Sequence, residues 1–333
     1  MAATKTARKK AGTRRAGTDL FRRHPKNPVL TAGMWPYPVN SVFNPAAARV
    51  NGTTVLLARV EDHTGVSHLT AARSRDGATG WKIDSSPTLA PDPERHPEEL
   101  FGIEDPRATW LEERGQWAVA YTAVSRQGPL VSLAVTEDFK RFRRLGPVLR
   151  PSDKDAALFP RRFGGSWAML HRPTIDPGGP AHIWISFSPD LRHWGGSRIV
   201  MEAREGTWWD AGKIGLCAQP LETPEGWLIL YHGVKRTASG SLYRVGLALL
   251  DLDEPWRVLR RSAGWVMGPE APYEREGDVE YVVFPCGWLH DASRGELRVY
   301  YGAADTRVAM ATASMKEVLA YIKGCPAGEG GPE

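Results

Sequence analysis

Short apolar segments alternate with polar turn segments along most of the chain, and most of the apolar segments come in pairs. Each segment is rich in Val, Ile, Leu, Ala and aromatic side chains. Short strands at regular spacing, with turn signals between them, are typical of all-β folds. The segments are residues 54–59 with 68–72, 117–122 with 130–135, 182–187, 227–232 with 245–250, and 297–301 with 308–312.

A turn motif follows the apolar segments and recurs along the chain. It consists of a hydroxyl residue, then an aspartate, then an aromatic residue a few positions later. Its copies are Ser74, Asp76 and Trp81; Thr136, Asp138 and Phe142; Ser188, Asp190 and Trp194; a shorter form at Asp253 and Trp256; and a degenerate form at 313–315. Repeats of this length, each with about four strands, are typical of propeller blades. The sequence therefore predicts an all-β, five-bladed β-propeller with one short C-terminal helix at 315–322.

Composition agrees with this fold class and limits the location. The chain has 333 residues with 34 Gly and 26 Pro, which suits one large all-β domain with many turns. Cys217, Cys286 and Cys325 are far apart and form no metal-spaced pair, which favours a reducing compartment. No apolar run approaches the length of a membrane span. We therefore expect a cytoplasmic protein without a membrane partner.

The net charge of +5 comes from the N-terminus. Residues 1–26 hold nine Lys or Arg and one acid, Asp19, so the rest of the chain is slightly acidic. This segment lacks the apolar core of a secretory signal. A basic arm that binds nucleic acid or another partner is one interpretation, and a solvated, disordered extension is the favoured one. We predict a disordered extension over 1–24, a single catalytic propeller over 25–333 and no nucleic-acid partner.

Two adjacent carboxylates are the first candidates for chemistry. Glu104 and Asp105 follow Gly102, which allows a tight backbone, and they precede a proline, which should push Asp105 towards an extended conformation. Asp105 is a candidate general acid or base. It is also a candidate turn residue, or the partner of Arg107 in an ion pair. We expect the Glu104 side chain to point away from that of Asp105.

Polar residues at or beside apolar strands are candidates for the central channel of a propeller. A charged side chain there must face the channel, because burial in the core without a partner is costly. We interpret these residues as equivalent points of different blades, although strand ends that reach solvent produce the same pattern. They are Asn44, Arg59, Lys213, His232 and Asp305.

A cationic group lies in the segments 153–162 and 169–173. Converging cations hold an oxyanion such as phosphate or sulfate through charge-assisted hydrogen bonds. Structural ion pairs are the alternative. The chain has no Gly-rich phosphate loop and no histidine spacing typical of a metal site, so neither a nucleotide site nor a metal is expected. The cations are Lys154, Arg161, Arg162 and Arg172, and the acids that would pair with them are Asp153, Asp155 and Asp210.

Several motifs, in order from about residue 25 to 322, resemble glycoside hydrolase family 130, the β-mannoside phosphorylases and their hydrolytic relatives. Some of them are six or more residues long, so the resemblance is specific. It implies the five-bladed propeller that the repeat spacing already indicates. The motifs are Asn44-Pro, Arg59-Val-Glu-Asp62, Gly102-Ile-Glu-Asp-Pro-Arg107, Asp153-Lys-Asp-Ala-Ala-Leu-Phe-Pro160, Leu170-His-Arg-Pro173, Asp210-Ala-Gly-Lys-Ile-Gly215, Trp227-Leu-Ile-Leu-Tyr-His-Gly233 and Tyr301-Gly-Ala-Ala-Asp305.

The resemblance also implies roles for single residues. Asp105 matches the sole catalytic acid. The phosphate-binding candidates are Lys213, Arg172, His232 and Tyr243, with Lys154, Arg161 and Arg162 as further additions. Residues that match mannose contacts are Asn44, Arg59 and Asp305, and Asp62 and Glu104 are further substrate-binding candidates from the same motifs.

The activity implied is an inverting phosphorolysis of β-mannosides that releases α-mannose 1-phosphate. A hydrolase needs a second carboxylate to activate water, whereas phosphate is already an anionic nucleophile and needs a cationic pocket instead. In this family the acid is thought to donate its proton through a sugar hydroxyl. Inorganic phosphate is then the co-substrate, and no metal or organic cofactor is implied.

Three alternatives remain open. They are a β-mannosidase of the same fold, a non-catalytic carbohydrate-binding propeller, and a propeller glycosidase with three separated carboxylates. The leaving sugar is open too, with glucose, mannose and N-acetylglucosamine and both β-1,4 and β-1,2 linkages as candidates. The loops at 33–37, 63–68 and 236–241 would decide it. Trp35, Tyr37 and Trp208 are stacking candidates there or core residues, and the resemblance allows a homo-oligomer.

Overall fold

The structure is a computed structural model that describes residues 20–238 and 240–328. Within these ranges the strands form five antiparallel sheets, one per blade, so the predicted five-bladed propeller is confirmed. A two-residue strand, β1 (Arg22–Arg23), precedes the blades. The predicted basic extension falls mostly on residues outside the described ranges.

The blades follow one another along the chain, and each runs from the axis outwards in strand order. Blade one contains β2 (Ser41–Val50), β3 (Thr53–Glu61), β4 (Ser67–Ser74) and β5 (Lys82–Ile83). Blade two contains β6 (Ile103–Leu111), β7 (Gln116–Ser125), β8 (Gly128–Thr136) and β9 (Arg143–Pro147). Blade three contains β10 (Asp153–Leu158), β11 (Trp167–Pro173), β12 (Ile183–Ser188) and β13 (Gly195–Met201).

The last two blades depart slightly from this plan. Blade four contains β14 (Lys213–Leu216), β15 (Leu221–Thr223), β16 (Gly226–Thr237), β17 (Gly240–Leu250) and β18 (Val258–Arg261). Blade five contains β19 (Val283–Asp291), β20 (Glu296–Ala303) and β21 (Arg307–Ser314), with β1 as its outer strand. The helices are α1 (Pro272–Arg275), α2 (Met315–Lys323) and three short 3-10 turns at Ala32–Met34, Pro97–Glu99 and Glu112–Arg114.

The N-terminal strand closes the propeller. β1 pairs with β21, with Arg22 opposite Thr312, and the preceding Leu20 and Phe21 are buried between blades four and five. Residues 20–23 therefore belong to the propeller, ahead of the predicted domain start at residue 25. A strand of only two residues leaves no alternation that can be recognised in a sequence. Closure by a strand from the opposite end of the chain ties the first blade to the last.

The recurring turn motif is a set of side-chain to backbone hydrogen bonds at the outer turn of each blade. Asp76, Asp138 and Asp190 each accept bonds from the backbone N–H groups two and three residues later. In blade four Asp251 does this, not the predicted Asp253. In blade five Ser314 accepts from the N–H of Glu317 and so caps α2, which confirms the predicted C-terminal helix.

The apolar core consists of layers between neighbouring blades. Five buried clusters fill the spaces between blades one and two, two and three, three and four, four and five, and five and one. Each is built from aliphatic and aromatic side chains of facing sheets. These apolar layers cover both faces of every sheet. The inner edges of the sheets, with the polar residues of the innermost strands, therefore surround the axis.

No helix within the described residues has both the length and the apolar character needed to cross a membrane.

Candidate active site

Three innermost strands carry a polar residue at the same point, where the strand bulges. Asn44 in β2, Asp105 in β6 and Asp155 in β10 lie at breaks in the pairing with the second strand. All three are buried and have left-handed backbones, with φ of 43°, 49° and 56°. A bulge re-aims the extra residue, and here it directs polar side chains towards the axis. Such backbone angles in non-glycine residues are typical of functional sites.

The backbone around Asp105 corrects one expectation and confirms another. The following proline does not push Asp105 into an extended conformation, because the bulge imposes the left-handed one. Gly102 does allow a tight backbone: its φ is 111°, and a Cβ there would lie 2.9 Å from the backbone N and O of Ser67.

The Asp105 carboxylate is held by two donors. Its Oδ1 accepts a hydrogen bond from Asn44 Nδ2 at 2.8 Å and lies 3.3 Å from Arg59 Nη1. Burial alone would raise the pKa of this carboxyl group, but the positive charges of Arg59, Lys154 and Arg107 outweigh burial and lower the pKa below its usual value. Asp105 is therefore ionised when no substrate is bound.

Arg59 gathers the carboxylates on this side of the axis. Its Nη2 lies 3.0 Å from Glu104 Oε1 and 3.5 Å from Glu61 Oε2. Glu104 and Asp105 thus share one guanidinium group, and the expectation that their side chains point apart is wrong. Asp305, in the turn between β20 and β21, lies close enough to this group for the charges of Asp105 and Arg59 to affect its pKa. Burial and the charge of Asp105 raise the pKa of Asp305 to about 6.

Asp155 is the centre of the other side. Its Oδ2 accepts a hydrogen bond from Arg172 Nε at 2.7 Å, and its Oδ1 lies 3.3 Å from Arg107 Nη2. Arg107 also donates to the backbone oxygens of Asp105, Leu216 and Cys217. Burial would raise the pKa of Asp155, but Arg172, His232 and Arg107 hold it well below its usual range. This carboxylate is permanently charged and bound on both oxygens.

Three predicted phosphate ligands surround this ion pair. The imidazole of His232 lies 3.5 Å from Asp155, and its ring centroid lies 6.1 Å from that of Tyr243, with nearly parallel ring planes. Lys213 Nζ lies 5.9 Å from the Tyr243 ring centroid. Burial lowers the pKa of His232 to about 3 despite Asp155, so the imidazole is neutral near pH 7. Burial and the charge of Arg172 lower the pKa of Lys213.

A glycine makes room for this arrangement. Gly215 in β14 faces both Asp155 and His232, and a Cβ at this position would collide with the Asp155 carboxylate and lie 2.9 Å from His232 Nε2. Only a residue without a side chain lets β14 pass this close to two buried polar groups.

The five channel-facing candidates do not occupy equivalent points. Asn44 and Lys213 lie on innermost strands, whereas Arg59 and His232 lie on second strands and Asp305 lies in a turn. Equivalent positions belong to Asn44, Asp105 and Asp155 instead. The sequence pattern does not distinguish these positions, because a polar residue at a strand end has the same local sequence context on the first and on the second strand of a blade.

Several candidates lie outside this group. The Asp62 carboxylate accepts bonds from Thr64 and Val66 within its own turn. Arg161 donates to the backbone oxygen of Leu252 and packs on Trp227, and Arg162 lies 2.8 Å from a carboxylate oxygen of Glu113. Both arginines follow β10 at the end away from Asp155. The structure does not bring them to the site.

The stacking candidates also separate. Trp35 is buried in the core between blades five and one. Tyr37 uses its hydroxyl in hydrogen bonds with His68 and Thr70. Trp208 alone of the three is exposed, and it lies in the segment between β13 and β14.

Sequence reasoning gave Arg107 and Asp155 no functional role, only places in structural ion pairs. The Arg172–Asp155 pair does form, but Arg107 bonds the backbone oxygen of Asp105 rather than its carboxylate. A signal was present: Asn44, Asp105 and Asp155 each precede Pro or Ala near the start of a strand.

The site therefore has two halves. The carboxylate half consists of Asn44, Arg59, Glu104, Asp105 and Asp305, and the cationic half consists of Arg107, Asp155, Arg172, Lys213, His232 and Tyr243. In the cationic half three formal positive charges face one negative charge. Such an excess of buried positive charge favours a small anion such as phosphate, next to a carboxylate that can exchange a proton.

Comparison with known proteins agrees with this geometry. The family model for glycoside hydrolase family 130, described as beta-1,4-mannooligosaccharide phosphorylase, matches residues 13–324. A beta-1,4-mannooligosaccharide phosphorylase from Ruminococcus albus is 36% identical over 315 residues, which cover 92% of this chain and 91% of that protein.

Two solved structures have the same fold. The beta-1,2-mannobiose phosphorylase of Listeria innocua, in complex with beta-1,2-mannobiose, is 32% identical with a TM-score of 0.82, covering 91% of this chain and 99% of that one. The second structure comes from work on glycoside hydrolases of the same family of mannoside phosphorylases, which target beta-1,2 mannosidic linkages in Candida mannan. It is 25% identical with a TM-score of 0.77, covering 93% and 96% of the two chains.

Proposed function

The chain belongs to glycoside hydrolase family 130, and on that premise we propose that it cleaves β-mannosides with inorganic phosphate. It is a β-mannoside phosphorylase. The bond between mannose C1 and the leaving oxygen breaks, a phosphate oxygen bonds to C1 from the opposite face, and the leaving oxygen takes a proton. Inversion yields α-mannose 1-phosphate. The substrates are β-1,4- or β-1,2-linked mannosyl disaccharides or oligosaccharides, the linkages of the related phosphorylases.

The cationic half is the observation that carries this proposal. Asp155 is its one acidic residue within the described chain, and both oxygens of Asp155 are bound by arginines. A carboxylate in that state cannot take a proton from water, so the half lacks the base that an inverting hydrolase uses. Arg172, Lys213 and neutral His232 instead supply donors to an oxyanion, and burial with the nearby Asp155 charge raises the pKa of Tyr243, which keeps its hydroxyl protonated.

Asp105 is the proposed proton donor. Its low pKa in the free enzyme comes from Arg59, Lys154 and Arg107, and Lys154 and Arg107 also act on Asp155. A phosphate dianion bound in the cationic half places negative charge among these same cations. That charge raises the pKa of Asp105, so the acid becomes protonated when the nucleophile is in place. The proton then passes to the leaving oxygen, directly or through a sugar hydroxyl.

Asn44, Arg59 and Asp305 are the proposed contacts to the mannose ring. Arg59 offers donors to hydroxyl groups beside Asp105, and Asp305 offers an acceptor, or a donor when protonated. Glu104 completes the set through its contact with Arg59. The reaction as proposed calls on no metal or organic cofactor. We also propose a cytoplasmic location, in keeping with three free cysteines, and assembly into a homo-oligomer stays a prediction.

The test is the dependence of initial rate on phosphate concentration at saturating sugar. Losing one charge-assisted hydrogen bond costs roughly 1.5–3 kcal/mol, or about 10- to 150-fold. Lys213→Ala and Arg172→Ala should therefore weaken phosphate use at least about tenfold. Arg172→Lys should rescue only partly, because an ammonium group lacks the planar donors of Arg. Arg161→Ala is the matched control and should change nothing.

Two outcomes would contradict the proposal. An unchanged phosphate dependence in both alanine variants would place the anion elsewhere. A wild-type enzyme that releases free mannose without phosphate would be a β-mannosidase, the activity that one structural relative's description names. Reverse reaction of α-mannose 1-phosphate with a panel of acceptor sugars identifies the leaving sugar and the linkage.

A further inference from the structure

A cavity lies on blade four, across the β16–β17 hairpin from the reaction site. Its volume is about 510 Å³, within the range of small-molecule sites. Successive side chains of a strand point to opposite faces. Leu242 and Arg244 of β17 therefore line this cavity, while Tyr243 between them stacks on His232 in the reaction site. The two faces of this hairpin therefore contribute side chains to two different sites.

Three tryptophans form the apolar part of the cavity. Trp209 is fixed, because it stacks on Tyr231 with ring centroids 5.4 Å apart and donates its Nε1–H to the backbone oxygen of Ala263. Trp208 is 46% exposed, with the Arg204 guanidinium 4.4 Å from its ring. Trp265 lines the cavity beneath Arg244. Exposed indole faces bind the flat surface of a base or the apolar face of a sugar ring.

The polar part of the cavity is cationic. Lys235 Nζ donates to the backbone oxygen of Thr207 at 3.0 Å, and Arg244 donates to the backbone oxygen of Tyr243 at 2.7 Å. No carboxylate lines the cavity, and none among the described residues lies within ion-pair distance of either cation. Burial also lowers the pKa of Arg244, with only Glu270 opposing it.

Neighbouring arginines of the same blade do have carboxylate partners. Arg204 and Arg261 both pair with the buried Asp210, at 3.3 and 2.7 Å. The cavity thus places two positive charges without a carboxylate partner in the described part of the chain, Lys235 and Arg244, beside indole rings. An uncharged sugar would need acceptors for its hydroxyl groups, and the cavity offers no carboxylate or amide side chain. Its charge fits a ligand that brings its own negative group.

We propose that this cavity binds a phosphorylated small molecule, with the phosphate on Arg244 and Lys235 and the ring of the ligand on Trp208 and Trp265. Arg244 and Lys235 would bind the phosphate in place of the backbone N–H groups of a Gly-rich loop. The absence of a Gly-rich loop motif from the sequence therefore does not exclude a phosphate site here. A sugar phosphate and a nucleoside phosphate share this chemistry. The site is separate from the proposed phosphate site, so it stands or falls without that proposal.

The experiment is calorimetric titration of the full chain with α-mannose 1-phosphate, guanosine monophosphate and inorganic phosphate. Trp208→Ala and Arg244→Gln should each weaken binding of an organic phosphate at least about fivefold, because stacking or a charge-assisted bond is lost. Lys213→Ala, in the reaction site, should leave the binding of guanosine monophosphate intact and weaken only the share of α-mannose 1-phosphate binding that belongs to the reaction site. Trp110→Ala and Arg294→Gln are matched controls, since these residues are 36% and 69% exposed elsewhere on the propeller.

The first two ligands separate the two sources of the phosphate. Binding of α-mannose 1-phosphate that Trp208→Ala and Arg244→Gln weaken assigns a sugar phosphate to the cavity, because the share that binds in the reaction site does not depend on these two residues. Binding of the nucleotide alone assigns a nucleoside phosphate. The proposal is overturned if neither binds, if inorganic phosphate displaces the ligand and only Lys213→Ala abolishes binding, or if the cavity variants change nothing except self-association on a sizing column. Trp208 is exposed, so its variant should fold, and circular dichroism of each variant checks this.

Discussion

Asp105 and Asp155 occupy the same position in neighbouring blades and have different chemistry. Both lie at a bulge in an innermost strand, both are buried, and their φ angles are 49° and 56°. Asp105 has its Oδ1 shared between an amide and a guanidinium group. Asp155 has each oxygen bound to a different arginine. Backbone position places a carboxylate at the axis, and the partners decide what that carboxylate can do.

The partners differ in how replaceable they are. Arg59 next to Asp105 keeps Glu104 and Glu61 within ion-pair distance. Arg107 and Arg172 have Asp155 as their only carboxylate within ion-pair distance among the described residues. Removing the charge of Asp105 thus leaves its cation paired, whereas removing the charge of Asp155 leaves two buried cations unpaired. The carboxylate half can vary its protonation at little structural cost, and the cationic half cannot.

The largest expected effect is on the rate of Asp105→Asn. The variant keeps the shape of the side chain but has no carboxylic proton, and general acid catalysis is worth about 10²–10⁴-fold. The rate should fall at least that far while the melting temperature stays close to that of the wild type. Glu104→Gln is the control on the same guanidinium group and should lose less. Near-full activity of Asp105→Asn would remove Asp105 from the acid role.

Asp155→Asn should show the opposite profile, with stability as the main loss. Breaking a buried ion pair by removing one partner costs roughly 3–5 kcal/mol, and here two arginines lose their partner. Urea unfolding should register this loss, and added inorganic phosphate should restore part of it, because the dianion supplies the missing negative charge. A stability loss no greater than that of Asp105→Asn would mean that the two aspartates are not distinguished by their partners.

A third carboxylate, Asp305, sharpens the comparison through pH. Its pKa is about 6 in the folded chain against about 3.9 in an unfolded one. The folded state therefore holds the extra proton between these values, and stability falls as pH rises through that window, by up to about 3 kcal/mol. Asp305→Asn lacks this titration. Its free energy of unfolding relative to that of the wild type should rise between pH 4 and pH 7 in urea unfolding. Parallel pH dependences of the two proteins would show that folding does not raise the pKa of Asp305.

Much of the fold and part of the site follow from local sequence. The apolar segments predict the second and third strands of most blades, because alternating burial leaves a period that can be read directly. The innermost strands were harder to recognise, since bulges interrupt them at Asn44, Asp105 and Asp155. Local sequence already marked Asp105 and most of the cations as candidates, and the resemblance to a known family gave them roles. The candidates also included Asp62 and Arg161, which the structure places outside the group.

The sequence by itself determined the blade count, the acidic motif and the presence of many cations, because these depend on residue type and spacing. Only the tertiary structure decided which cations meet. Arg107 in blade two contacts Asp155 in the neighbouring blade three, while Arg161 lies beyond the end of β10 that is remote from Asp155. No local pattern separates these two arginines. The tertiary structure also set the proton affinities: burial raises the pKa of both Asp305 and Asp155, yet the pKa is near 6 at Asp305 and well below its usual range at Asp155. The surrounding charges make that difference, and they come from strands far apart in the chain.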